Sequence, residues 1–103
     1  MNADHDVAVT DNPEKKRFET TIEGHTALVD YVRHGDTIWF THTEVPPELE
    51  GRGIGSALAK YVLDYAVTNS LKVVPACAFI ADYIGSHPEY APLVTQERAP
   101  KQQ

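Results

Sequence analysis

Glu50-Gly51-Arg52-Gly53-Ile54-Gly55-Ser56-Ala57-Leu58 is the stretch of this 103-residue chain at which the apolar pattern changes period. Behind it, Ile54, Leu58, Tyr61, Val62, Tyr65 and Ala66 recur every three or four residues, with Lys60, Asp64 and Asn69 elsewhere on the surface, which predicts a helix over 56–68. Ahead of it the period is two. Phe18, Thr20 and Ile22 alternate with polar neighbours in 17–22; in 25–33 Ala27, Val29 and Tyr31 share one face while Leu28 and Val32 take the other; 37–45 is a further extended run. Glu23-Gly24 and His34-Gly35-Asp36 are the turns between them, and a short apolar segment at 7–9 is set off by Asp11-Asn12-Pro13-Glu14. Three or four antiparallel strands follow from this. Beyond the helix, 71–76 reads as a buried strand around Val73 and Val74, and 78–86 as a second helix ending before His87-Pro88. The expected fold is of the mixed α+β class, an antiparallel meander followed by β-α-β-α. It spans residues 7–94 as one domain, with a flexible start at 1–6 and a polar tail at 95–103.

Length and composition narrow the function. A chain of this size builds one core and one active region. No apolar run approaches the roughly 20 residues that span a bilayer, and Met1-Asn2-Ala3-Asp4-His5-Asp6 lacks the basic start and apolar stretch of a secretory signal, so the default expectation is a cytoplasmic protein with no membrane partner. Cys77, the single cysteine, has no internal disulfide partner. The net charge of -6, with no basic cluster longer than Lys15-Lys16-Arg17, argues against a nucleic-acid partner. His5, His25 and His34 have no metal-ligand spacing, and no metal is expected.

Gly51, Gly53 and Gly55 stand where an extended run meets the start of the best helix. Unsatisfied backbone amides and the positive end of the helix dipole gather there, so a phosphate is stabilised. Glycine lets the backbone come close to the oxygens, and Arg52 adds charge at the rim. A tight turn with no ligand explains the same three glycines equally well, and both readings stand at this point. The P-loop is disfavoured, because its Lys is missing; so is the dinucleotide fingerprint, because Ser56 and Leu58 occupy the places of its third glycine.

The stretch from Glu50 to Leu58 resembles the acetyl-CoA loop of the GNAT superfamily of N-acetyltransferases, usually written Gln/Arg-x-x-Gly-x-Gly/Ala. Glu50 departs from the first position of that pattern. His42-Thr43-Glu44-Val45-Pro46, Val74-Pro75-Ala76-Cys77 and His87-Pro88-Glu89-Tyr90 resemble the minimal branch of the superfamily, the N-acetyltransferase domain-containing protein 1-like proteins. Together the motifs cover about residues 17–94. The resemblance implies a sheet that splays beside Val45, acetyl-CoA (or free coenzyme A) with its pantetheine along Thr43 to Val45, and its pyrophosphate at Gly51, Arg52, Gly53, Ile54, Gly55 and Ser56. Transfer would go to an amine, either a small molecule or a lysine side chain.

Three residues are candidates for the chemistry. Histidine is the side chain type that ordinarily exchanges protons around neutrality, which makes His42 a candidate general base, and strict alternation in 37–45 would put it on one face with Ile38, Phe40 and Glu44. A structural histidine is the plain alternative. Glu44 is a second candidate base, or a solvated surface carboxylate. Cys77, at the end of the strand that follows the helix, would donate a proton to the departing thiolate, carry the acetyl group, or serve only as a small core residue. His87 is expected to cap or fix a turn, and Tyr83 and Tyr90 to contact the cofactor or to pack. The rival to an acetyltransferase is a non-catalytic acyl-CoA-binding or interaction module, since little chain remains for an acceptor pocket. A monomer or weak homodimer is expected.

Overall fold

The computed structural model describes residues 7–96. Five strands, β1 (Thr10–Asn12), β2 (Arg17–Ile22), β3 (His25–His34), β4 (Thr37–Glu44) and β5 (Lys72–Pro75), form one sheet in that spatial order. The first four are joined antiparallel by short turns. β5 runs parallel to β4, a pairing that no tight turn can make. The helix α1 (Ile54–Thr68) is the crossover between them, and α2 (Ala78–Ser86) follows β5. Short 3-10 turns occupy Pro47–Leu49, ahead of the glycines, and Pro88–Leu93. The chain then returns to β5, where Val94 bridges Val73 and the Thr95 amide donates to the Val73 carbonyl.

One face of the sheet carries the core. Phe18, Val29, Ile38, Phe40 and Val73 meet Leu58, Val62, Leu63 and Ala66 of α1 and Ile80 and Ile84 of α2 in a single buried cluster. Burial of this apolar stripe is what holds a sheet with so short a fifth strand. Trp39 and Leu28, on the other face, are also buried but lie outside that cluster.

The expected architecture holds, with local differences. The first strand is not the apolar run at 7–9 but Thr10–Asn12. Asp11 and Asn12, read as turn residues, are inside it: the Tyr31 hydroxyl donates to Asp11 Oδ1 at 2.7 Å and ties the strand across β2 to β3. Burial, with the Asp11 carboxylate adding, pushes that phenol well above its ordinary value. Val7 and Val9 instead pack half-buried against the core. α1 starts two residues earlier than the period indicated, because Ile54 is already buried in the cluster.

The larger difference lies in β4. Asp30 pairs with His42 but Tyr31 pairs with Phe40, so Thr41 is an extra residue, a β-bulge. Alternation therefore inverts at Thr41. Thr43, opposite the buried Val29, lies on the core face with Phe40, while His42 and Glu44, opposite Asp30 and Leu28, lie on the other. The expectation that His42 shares a face with Ile38 and Phe40 is corrected by this one insertion; Glu44 remains its neighbour.

The bulge sits where the sheet opens. β4 and β5 are paired from Thr37 with Lys72 to Phe40 with Pro75 and no further. Pro75 has no amide to continue the ladder, and the Ala76 amide turns back to the Val74 carbonyl at 3.0 Å. β4 runs on through Glu44 without a strand on that side. Phe40, fully buried at this parting, is the residue whose loss should be felt most. Phe40→Ala is expected to lower stability by about 3–5 kcal/mol, measured by urea denaturation at constant m-value.

Candidate functional site

The gap left by the parted strands is a cleft of about 520 Å³. Thr43, Glu44 and Val45 form one wall, the segment from Leu49 to Ser56 the floor, and Phe79 of α2 the far side. The three glycines serve it for two different reasons. Gly51 (φ 80°) and Gly53 (φ 77°) adopt left-handed backbone that other residues enter only with strain. Gly53 is the N-cap of α1 and offers no side chain to the first helical amides, which open on the cleft. Gly55 is helical, and a Cβ there would stand 2.8 Å from Cζ of Phe79. Its bareness lets that ring lie over the first turn of α1.

Of the residues singled out in the sequence, Thr43, Glu44, Val45, Gly51, Gly53, Ile54, Gly55 and Ser56 line this one cleft. Arg52 does not line it. Its guanidinium donates from Nη1 to Glu23 Oε1 (3.1 Å) and from Nη2 to Glu23 Oε2 (3.4 Å), at the β2–β3 turn. Those hydrogen bonds, with the charge of Arg52 adding, hold the Glu23 carboxyl below the usual carboxylate range. Cys77 is the N-cap residue of α2, half-buried, with Sγ 3.2 Å from Thr43 Oγ1, so a short contact spans the gap between the end of β4 and the start of α2. His42 is 59 % exposed, with Nε2 3.6 Å from Glu44 Oε1. The bulge thus separates His42 and Glu44, as one exposed pair, from Thr43 and Cys77 on the core side.

Phe79 escaped the sequence reading. Its only signal was a helical glycine with no conformational need for being one, and recognising that requires knowing which residue packs on Gly55. His87, expected to fix a turn, stacks on Tyr83 (ring centroids 3.8 Å apart), and its Nδ1 is 2.8 Å from the Tyr83 carbonyl. Tyr90 is buried and its hydroxyl donates to Asp64 Oδ1 at 2.6 Å, which leaves it no access to a ligand. A second cleft, of about 450 Å³, runs from Ser56 past Lys60 and Tyr83 between the two helices. Among the described residues there is no cluster of groups suited to a metal ion, and no helix long and apolar enough to cross a membrane.

A parallel strand pair that parts beside a glycine-built, uncapped helix start is the arrangement of an acetyltransferase fold, and residues 17–93 match the family described as GCN5-related N-acetyl-transferase. The chain belongs to that family. It is 30% identical over 92 residues to Protein NATD1 of Xenopus tropicalis, covering 85% of this chain and 84% of the relative. With Protein NATD1 of Mus musculus it shares 33% over 85 residues, covering 80% and 77%. The solution structure of a GCN5-like protein from Staphylococcus aureus superimposes with a TM-score of 0.68 over 89% of this chain and 91% of that one, at 23% identity, and shares the fold.

Two outcomes follow from these contacts. Because the Phe79 ring is 40% exposed and a new Cβ meets it first at its outer atom, Cζ, Gly55→Ala is expected to change stability by less than about 1 kcal/mol, helix propensity offsetting the displaced contact. The ring resonances of Phe79 should nevertheless move strongly in NMR spectra; an unmoved ring would mean that the contact does not require glycine. Asp64 carries the second outcome. Burial opposes its charge, but hydrogen bonds from Lys60 and Tyr90 hold its carboxyl below the ordinary 3.8. A depressed folded pKa means that its contribution is complete above that value and lost as pH falls through the folded one. Asp64→Asn should therefore lower stability at pH 7 more than at pH 2, compared by thermal unfolding.

Proposed function

We propose that this chain binds acetyl-CoA in the cleft beside the glycines and transfers the acetyl group to an amine, either a small molecule or a lysine side chain. The observation that carries this reading is the parting of β4 from β5 next to the uncapped start of α1. Such a cradle fits the molecule's two ends. The left-handed glycines and the free amides at the start of α1 suit a pyrophosphate. The backbone of residues 43–45, with no strand beyond it, suits the amide groups of a pantetheine arm. Acetyl-CoA would supply the activated acetyl group; the rest is the work of side chains.

In this reading Cys77 Sγ donates a proton to the departing thiolate, with Thr43 Oγ1, 3.2 Å from it, as the group that orients the thiol. His42 Nε2 and Glu44 Oε1, an exposed pair at the end of β4, take up the proton that the amine releases. Phe79 and Val45 exclude water from the reacting carbonyl. A second reading is favoured by the bulge: it turns His42 from the Phe40 face, which suits a module that binds acyl-CoA and transfers poorly.

Amide-shift mapping with acetyl-CoA tests the binding. Shifts should concentrate in residues 43–45 and 51–56, and shifts confined to β1 and β2 would refute the placement. Product formation with a panel of amines separates transferase from module. His42→Ala should slow transfer about 100-fold with the Kd for acetyl-CoA within about twofold of wild type. Cys77→Ser should be milder than Cys77→Ala if the thiol is a proton donor. Equal total losses in both, with one acetyl group gained by the wild-type thiol, would make Cys77 a nucleophile instead.

A further inference from the structure

Arg52 is the one basic residue inside the glycine loop, and its charge is already engaged. The two guanidinium nitrogens face the two Glu23 oxygens in a side-by-side fork, the geometry that the same group uses to grip a phosphate. Glu23 stands in an unusual place for it. Its φ of 53° is left-handed, in the two-residue turn it forms with Gly24, where asparagine or glycine is the easy choice. A glutamate held there at some strain, with its carboxylate on the loop arginine, calls for a role beyond closing the turn.

We propose that Glu23 is a built-in competitor for the ligand's phosphates: it occupies the fork of Arg52 until a pyrophosphate takes over, and so sets how tightly the cleft holds its cofactor. This rests on the reading of the cleft as an acetyl-CoA site. Arg52 stands between Gly51 and Gly53, both of which line the cleft, so its backbone is held beside the cleft while its side chain is turned to Glu23. The pair is open to solvent, with 38% and 68% of the two side chains exposed, and is therefore weak and readily broken. A pyrophosphate brings about two negative charges against one and gains the α1 amides as well, so it prevails. The carboxylate lowers the net gain without blocking it. Glu48, 3.6 Å from His25 Nδ1, is a comparable acid near the same turn whose partner is not Arg52.

The test is the Kd for coenzyme A, by isothermal titration calorimetry at low salt, of wild type, Glu23→Gln, Glu48→Gln, Arg52→Ala and the Glu23→Gln/Arg52→Ala pair. Glu23→Gln should bind about threefold more tightly, Glu48→Gln clearly less so, and the gain should vanish when Arg52 is absent. Glu23→Gly removes the carboxylate and relieves the left-handed φ, so it should show the same gain with no loss of thermal stability, which guards against a folding artefact. Unchanged or weaker binding by Glu23→Gln overturns the proposal. So does a gain that Glu48→Gln reproduces or that survives without Arg52, since either is a general effect of charge. Absence of coenzyme A binding by wild type is a different result: it refutes the functional reading itself.

Discussion

The site depends on β4 and β5 pairing for only four residues and then separating. Parallel pairing from Thr37 to Phe40 anchors both strands in the core, and Pro75 ends the ladder because it has no amide to donate. On the other side of β4, the bulge at Thr41 bends the strand and shifts its register against β3. The two devices act at the same level of the sheet, one on each edge of β4. Without the first, β5 would close the cleft; without the second, Thr43 would face away from Cys77.

The helices complete what the strands begin. α1 crosses the sheet with Leu58, Val62 and Ala66 buried, which fixes its axis and brings its uncapped start to the gap. α2 starts at Cys77 on the opposite lip, and its Phe79 rests over Gly55. Asp64 joins α1 to the 3-10 turn beyond α2 through Tyr90 and also holds Lys60 of its own helix, while the two helices themselves meet in the core. The glycines of the loop thus answer to separate constraints. Two are required by backbone conformation and one by a neighbouring ring, and a sequence pattern does not distinguish them.

Charge around the cleft is mixed. Glu44 and Glu50 line it, and Glu23 engages the loop arginine, against a net charge of -6 for the whole chain. Backbone amides rather than basic side chains would be the main attraction for an anion here. This arrangement favours a ligand that brings several acceptor oxygens to one point over one that is merely negative, because each amide acts only at hydrogen-bonding distance.

Much of the architecture was legible in the sequence. The switch from period two to period three or four at the glycines located α1, the turn residues located the β2–β3 and β3–β4 hairpins, and the extent of α2 from Ala78 to Ser86 was read to the residue. Those are properties of short segments, set by apolar spacing and by residues with special backbone freedom. The loop motif likewise marked residues that gather at one cleft, all but Arg52, whose side chain turns to Glu23. The bulge at Thr41 was not legible, since it arises from the match between β4 and β3 and leaves no local mark. Nor was the place of Asp11 in β1, which is held by Tyr31 twenty residues away. The engagement of Arg52 by Glu23, the contact of Thr43 with Cys77 and the ring of Phe79 over Gly55 each join residues more than twenty positions apart. Local pattern determined the elements and the loop; which face His42 takes, and what each loop residue touches, was decided by packing between segments that the sequence keeps far apart.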